Sequence, residues 1–543
     1  MDRPQRLQGA RHLALSDLLR RAARLVAAPF KAFSGVPGAP APQVAAQPQS
    51  SSPRHRERQP QREGRGAPRG RGGRGEGRDA RPPRGREGGD RPTAPRARRQ
   101  PPPLAPGAVV IPRDRHGISR KDISNNALRV LYRLDEAGFQ AYLVGGAVRD
   151  LLLGGRPKDF DVATDASPDQ VRQLFRNCRL IGRRFRLAHI HFGQEIIEVA
   201  TFRGTGDEGD RKLDNGRLLR DNIYGSLEED IFRRDFTINA LYYNIADFSL
   251  RDDAGGVADI AERRLRLIGE PEARFREDPV RMLRAVRFAA KLGFELEPSM
   301  ARALPMLAYL LGEVPPARLF DETTKLFLMG HAERSFDLLR EHGLLPALMP
   351  QVADELAADP DGRYGSFVRD ALRGSDQRVA EGRPLTSGFL LAVLLWPSAQ
   401  RTHAALVAKG TEANLAWQQA ADAVVMPFCQ RVAVPRRISL VSQEIWTLQG
   451  WLTQRTRRRV VRLLAHPRFR AAWDFLVLRA AIEPDLVELV EWWRQTQALD
   501  ESALDGHLER AVVSAGDVGP GKRRRRRGGR RRGGGPGGAG GGD

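Results

Sequence analysis

Leu143-Val144-Gly145-Gly146-Ala147-Val148-Arg149-Asp150, with Asp159-Phe160-Asp161 shortly after it, is the stretch that decides the architecture. Apolar residues run into a glycine pair and then into a helix-forming segment, so the pattern predicts strand, tight turn and helix. The strand is expected over Gln140–Val144 and the helix over Ala147–Leu153. Asp159–Thr164 reads as a second strand. Alternate strand residues share a face, so the carboxylates of Asp159 and Asp161 project together while Phe160 enters the core. Two adjacent carboxylates repel unless a cation lies between them, and an all-oxygen pair suits Mg²⁺. The glycines let backbone approach a phosphate, the helix start offers free N–H groups, and Arg149 adds a fixed cation. The spacing fits neither a P-loop nor a dinucleotide fingerprint. Carboxylate pair and phosphate cradle together describe a metal-dependent triphosphate site.

Working outward, Ile123, Ala127, Val130, Leu131 and Leu134 recur at helical spacing and predict a helix over 122–137. Ser167-Pro168 is a helix start, with a capping hydroxyl and a proline in the first turn. Glu195–Phe202 alternates on Ile197, Val199 and Thr201 and predicts a third strand. Residues 109–255 are therefore an α+β head. Beyond Ala258 almost no strand pattern remains. Residues 258–500 read as an all-helical body interrupted by prolines, among them Pro279, Pro298, Pro315, Pro316, Pro350, Pro427, Pro435 and Pro467.

Two later segments carry further chemistry. In Arg233-Arg234-Asp235-Phe236-Thr237-Ile238-Asn239 the arginines can neutralise phosphates, and Asp235 can accept from a ribose hydroxyl or complete the acidic cluster. In Arg276-Glu277-Asp278-Pro279-Val280-Arg281-Met282-Leu283-Arg284 the proline starts a helix that sets Arg281 and Arg284 on one side, one turn apart. Glu198 competes with Asp235 for the third acidic position, because its strand should lie beside that of Asp159; Asp235 is the expectation. His189 and His191 alternate along a strand and are read as structural. Arg455, Arg457, Arg458, Arg459 and Arg462, near Trp446 and Trp451, form either a cationic surface for RNA or a solvated helical face.

These four motifs, in this order, resemble the class II nucleotidyltransferase family, which holds bacterial poly(A) polymerases and CCA-adding enzymes. The likeness runs from about Ile111 to about Trp493. It implies a polymerase-β-like nucleotidyltransferase head with a small mixed sheet, then helical neck, body and leg. It implies that Asp159 and Asp161 bind the metal, that Gly146 and Arg149 meet the triphosphate, and that Arg234 and Asp235 contact the incoming nucleotide. Arg281 and Arg284 match arginines tied to nucleotide binding and base selection. Leu180-Ile181-Gly182-Arg183-Arg184-Phe185-Arg186-Leu187-Ala188-His189-Ile190 resembles the polymerase branch, as does the Arg-rich carboxyl end.

The 543 residues carry a net charge of +23. Residues 1–100 hold 23 Lys/Arg against 8 Asp/Glu and residues 520–543 hold 9 against 1, so the chain between is net neutral. The excess sits on two segments, one built from repeats such as Arg69-Gly70-Arg71-Gly72, whose composition predicts disorder and capture of a polyanion such as RNA. Met1 to Phe33 has an Arg-rich amphipathic pattern without the apolar stretch of a secretory signal. No run of about 18 apolar residues predicts a membrane span. Two distant cysteines, Cys178 and Cys429, make no disulfide framework and fit a reducing cytoplasm. The expected divisions are a disordered tail (1–107), the head (108–257), a neck with nucleotide recognition (258–350), an RNA-binding body (351–500) and a second basic tail (501–543). The expected activity is polyadenylation of RNA 3′ ends from ATP with Mg²⁺, in mRNA processing and decay, with RNA-decay proteins as partners. The alternatives are CCA addition to tRNA and a non-catalytic RNA-binding protein with a relic head.

Overall fold

The structure is a computed structural model. It describes residues 108–182, 186–204, 212–214, 217–220, 224–500, 503–504 and 506–508. The expectations for the tail over 1–107 and for most of 501–543 lie outside these residues, as do Arg183, Arg184 and Phe185.

The head is built on one eight-stranded mixed sheet. Its strands are β1 (Val109–Ile111), β2 (Ala141–Val144), β3 (Asp161–Thr164), β4 (Cys178–Ile181), β5 (Leu187–Phe192), β6 (Glu195–Thr201), β9 (Leu241–Asn244) and β10 (Leu250–Asp252). A separate hairpin joins β7 (Lys212–Asp214) to β8 (Arg217–Arg220). The spatial order is β1-β10-β9-β2-β3-β6-β5-β4. Only β3 and β6 pair in parallel, aligning Asp161 with Glu198 and Ala163 with Ala200; the other pairs are antiparallel. The sheet is larger than the strands legible in the pattern, because β1, β4, β9 and β10 are three- or four-residue pieces too short to display a period. The acid-bearing strand begins at Asp161 rather than Asp159, so Asp159 sits in the approach to it.

One face of the sheet is dry. Helix α1 (Asn125–Glu136) starts where Ser124 accepts from the Ala127 amide, and buries Ala127, Val130, Leu131 and Leu134. Helix α2 (Gly146–Leu152) follows the glycine turn, and α3 (Pro168–Leu174) begins with a capping box between Ser167 and Gln170. These helices pack on Leu143, Phe160, Val162, Ala188, Ile190, Ile197 and Val199. Among the described residues, the other face is covered over β9, β2 and β3. There α4 (Leu227–Phe232) lays Leu227 and Ile231 on Tyr142, Val144, Ala163 and Tyr242. Over β6, β5 and β4 no helix among the described residues covers that face.

Helix α5 (Gly256–Ala261) closes the head. Then come α6 (Pro271–Glu277), α7 (Val280–Leu292), α8 (Pro298–Leu307), α9 (Pro316–Phe327), α10 (Ala332–Glu341), α11 (Leu345–Leu348), α12 (Pro350–Ala357), α13 (Arg363–Ala380), α14 (Ser387–Leu394), α15 (Trp396–Ala408), α16 (Ala413–Val432), α17 (Arg436–Leu452), α18 (Arg457–Leu464), α19 (Phe469–Ala480) and α20 (Val487–Thr496). The one departure from an all-helical body is a parallel pair of two-residue strands, β11 (Arg264–Leu265) and β12 (Glu295–Leu296). Pro427 does not interrupt the chain as expected. It lies inside α16, whose buried residues Trp417, Ala421, Val424, Val425 and Phe428 hold that helix against the core through the proline. The largest apolar core takes Phe236 and Ile238 from the head together with α7 and the body helices. Head and neck therefore share packed side chains.

Candidate active site

A cleft of about 380 Å³ opens beside the end of β3. Asp161, Glu198, Arg203, Arg233, Arg234, Asp235, Asp278, Arg281 and Arg284 line it. Asp161 and Glu198 come from the sheet, whereas Asp235 and Asp278 arrive with the arginines on the other side. Asp161 on β3 and Glu198 on β6 are register partners on one sheet face. Four of the arginines come from the end of α4, from the loop after it and from α7, while Arg203 follows β6.

The acidic side is strained by its own charge. Asp161 is open to the cleft, yet the protein around it displaces enough water to disfavour its charge. That burial, with the negative charges of Glu198 and Asp159 and despite Arg234, raises its carboxyl to about 6. Oxygen donors crowded in this way are the chemistry a hard divalent cation relieves. Glu198 also meets its cross-strand partner His189, Nε2 to Oε2 at 3.3 Å. Among the described residues no group of three His, Cys, Asp or Glu side chains forms a closed metal cage. Magnesium commonly takes one or two carboxylates and completes its shell with water and substrate phosphates, and this donor set fits that pattern.

Gly145 has φ +70, a conformation L side chains rarely adopt, and a Cβ there would lie 3.4 Å from the Arg234 guanidinium. The glycine turn therefore leaves room for Arg234 to lie against the backbone. Arg234 donates to the Tyr242 hydroxyl (2.6 Å), to the Asn239 carbonyl (3.2 Å) and to Asp230 (3.2 Å). Asp230 is the buried hub of this side, accepting from the Arg203 amide, the Arg233 and Arg234 side chains and the Tyr242 hydroxyl. Burial alone would raise its carboxyl; the two arginines and these hydrogen bonds hold it below the usual range. Arg274 of α6 donates to the carbonyls of Arg233 and Arg234 and so ties this turn to the neck.

The remaining predicted residues fall into two groups. Asp235, Arg234, Arg281 and Arg284 line the cleft with Asp161. Arg281 is held by Glu277 (2.7 Å) and the Arg274 carbonyl. Arg284 donates to Asp235 Oδ2 through Nε (2.8 Å) and Nη2, while Asp235 Oδ1 accepts from the Phe236 amide and Asn239. Both Asp235 oxygens are thus engaged, whereas Glu198 stands directly beside Asp161. Arg149 does not line the cleft. It is 2% exposed, donates through Nε and Nη2 to the same Asp150 oxygen, Oδ1, and is bonded to the Asn239 side-chain oxygen, with the Phe288 ring 5.3 Å away. It reaches the site through Asn239. Gly146 stands next to it, at the head of α2.

Arg233, read from the sequence as a phosphate neutraliser, also lines the cleft; Arg203 and Asp278 line it too and were not singled out from the sequence. Asp278 is bonded by Arg318 of α9 at 2.9 Å. An unbroken Arg-Arg-Asp or Glu-Asp-Pro run does not say which member faces inward. In the body, Trp446 is wholly buried with its indole N–H on the Ala392 carbonyl (3.0 Å), so it belongs to the core and not to a surface. Trp451 instead packs beneath Arg459, 4.4 Å from ring to guanidinium.

Comparison with known proteins gives three family models along the chain. They are a poly A polymerase head domain over residues 141–266, a probable RNA and SrmB-binding site of polymerase A over 293–356, and a polymerase A arginine-rich C-terminus over 409–532. Poly(A) polymerase I of Salmonella typhimurium is 50% identical over 402 residues, covering 72% of this chain and 86% of that protein. The CCA-adding enzyme of Bacillus subtilis is 44% identical over 208 residues, covering 38% of this chain and 51% of that protein. Among solved structures, the Bacillus stearothermophilus CCA-adding enzyme in complex with CTP matches at 27% identity and a TM-score of 0.46, over 72% of this chain and 92% of that one. The chain is a nucleotidyltransferase that belongs to the bacterial poly(A) polymerase I family, whose wider kin include the CCA-adding enzymes.

Proposed function

We propose that this chain adds AMP units from ATP to RNA 3′ ends without a template. The RNA 3′-oxygen bonds to the α-phosphorus, the bond from that phosphorus to the β-phosphate oxygen breaks, pyrophosphate leaves, and the hydroxyl proton passes to solvent. The observation that carries this reading is the cleft itself, with crowded carboxylates on one wall and convergent arginines on the other. The family implies dependence on a divalent metal, and Mg²⁺ is the ion we assign to Asp159 and Asp161. When bound there it would acidify the 3′-hydroxyl and neutralise charge on the triphosphate.

The chain's own residues divide the remaining work. Arg234 and Arg233 offer guanidinium groups to the phosphates, with Gly145 and Gly146 keeping that approach clear. Arg281 and Arg284 face the nucleotide from the neck. Asp235 orients Arg284, and Arg149 orients Asn239, which in turn bonds Asp235; both are positioning residues in this reading. Glu198, beside Asp161, is the third acid of the metal wall. Adenine is read by side chains, since no template strand supplies the pattern.

Residues 108–257 form the catalytic head, 258–350 the neck that reads the nucleotide, and 351–500 the body that holds RNA. The setting is the cytoplasm, and no helix among the described residues is long and apolar enough to cross a membrane. RNA-decay proteins are the partners we assign to the neck, on the description of the family model over 293–356. CCA addition is the second reading, supported by the CCA-adding relatives that match over part of the chain. The test offers the purified protein each NTP separately, with an oligo(A) primer and with tRNA lacking its CCA end. The expected product is a homopolymer of A on the oligo(A) primer. Ordered C, C, A addition that stops at three residues would refute this reading.

A further inference from the structure

The sheet face that carries Asp161 does not end at the cleft. Cross-strand register continues it outward: Asp161 aligns with Glu198, Glu198 with His189, and His189 with Arg179 on the edge strand β4. The next row joins Ile196 to His191. On the opposite face the intervening residues Ala188, Ile190, Ile197 and Val199 are buried under the helices. On this face Ile196 is 45% exposed, and Glu198, His189 and His191 are half-buried. Adjacent strands lie about 4.8 Å apart, so the row spans roughly 14 Å from the carboxylate of β3 to the edge.

The edge is basic and unpaired. Arg176, in the turn before β4, and Arg179 line an open cavity of about 420 Å³ with His191. Among the described residues, no hydrogen bond or ion pair engages either guanidinium, and the buried Nε2 of His191 has no partner. Elsewhere in the head the arginines near the site are tied to carboxylates: Arg149 to Asp150, Arg233 and Arg234 to Asp230, Arg284 to Asp235. Two uncommitted cations stand at the end of an accessible strip that begins at the acid wall. Imidazole faces and an isoleucine occupy the strip between them.

We propose that this open face seats the 3′-terminal stretch of the RNA primer, with its last nucleotide at the carboxylates and upstream backbone phosphates at Arg176 and Arg179. The assignment rests on the primer-extension reading above. Single-stranded RNA combines a phosphate chain with flat bases, and a groove that recognises it combines cations with ring faces. His189 and His191, with ring centroids 6.5 Å apart, supply the faces. The paired strands β4 and β5 then form the outer half of a primer track.

The test compares full-length wild type with Arg176→Ala/Arg179→Ala and Arg176→Lys/Arg179→Lys. Neither residue belongs to the catalytic cleft. Primers are a dinucleotide, too short to reach the edge from the carboxylates, and an oligo(A) of about twelve nucleotides, which spans it. The alanine variant should raise KM for the longer primer by about tenfold and reduce the slope of log affinity against log salt by about 1.4, the value for two lost single-strand phosphate contacts. KM for ATP, the rate at saturating primer and use of the dinucleotide should be unchanged. The lysine variant should recover most of the loss. An unchanged KM and salt slope would overturn the assignment, and so would an equal loss on both primers, which would mark a structural effect. Failure of the wild type to extend any primer with ATP would instead refute the underlying activity.

Discussion

Replacing Arg284 by alanine tests the link between neck and head. Its guanidinium donates to Asp235 through Nε at 2.8 Å and through Nη2; the side chains are 31% and 12% exposed. Burial alone would push the Asp235 carboxyl up, but the charge and hydrogen bonds of Arg284, with those of Asn239 and the Phe236 amide, hold it below the usual range. Without Arg284, a mostly buried carboxylate keeps only two neutral donors. Removing one partner of a fully buried pair costs about 3–5 kcal/mol, and the partial exposure of Arg284 reduces this to roughly 2–3 kcal/mol. The sign with pH follows from the lowered carboxyl. Its stabilisation is complete above the unfolded value of about 3.9 and is lost as pH falls through the lower folded value. In the variant the uncompensated carboxyl rises, so mild acid relieves its penalty. The gap between wild type and variant should be widest near pH 7 and narrow toward about pH 4. Urea unfolding of wild type, Arg284→Ala, Asp235→Asn and the double variant closes a cycle, with an expected coupling of about 1.5–3 kcal/mol. In kinetics, kcat/KM for ATP should fall by about tenfold or more, about 1.4 kcal/mol, or selection of A over other NTPs should relax. A coupling near zero at neutral pH, with ATP kinetics and base preference intact, would refute the reasoning.

Asp159→Ala and Asp161→Ala should each abolish nucleotide addition while leaving folding and RNA binding largely intact; incorporation by a well-folded double variant in Mg²⁺ would remove the metal assignment. Trp446→Ala should destabilise the body by about 3–5 kcal/mol, read as a lower urea midpoint, because its ring fills the core; a stable variant with weaker RNA binding would return it to a surface role. Deleting residues 1–107 and 520–543, which carry the excess charge, should raise KM for RNA and flatten its salt dependence with little change in kcat. Unchanged KM and salt slope would mean that the folded part alone captures RNA.

The motifs of the head were legible because each is local. A glycine pair between a strand and a helix states its geometry within a few residues, and Phe160 does fall on the core side; the strand begins only at Asp161, so Asp159 stands outside the strand face expected for the pair. The capping box at Ser167 and Gln170 was legible for the same reason. The helical body followed from periodicity, although Pro427 shows that packing overrides a local breaker. The charge distribution needed only counting.

Tertiary structure alone decided which of these residues meet. Arg149 has the composition of a phosphate ligand, yet its neighbour Asp150 and the distant Asn239 enclose it, and the second partner is chosen by the packing of α2 against the loop before β9. In one dimension Asp235 was the expected third acid and Glu198 its rival. The parallel register of β3 and β6 sets Glu198 beside Asp161, while the arrival of α7 commits Asp235 to Arg284. Strand pairing and helix docking join residues 37 and 49 positions apart in these two cases, Asp161 to Glu198 and Asp235 to Arg284. A periodic pattern reports which face of its own element a residue occupies. It carries no information about which distant element that face will meet, because register and docking are selected by the whole core.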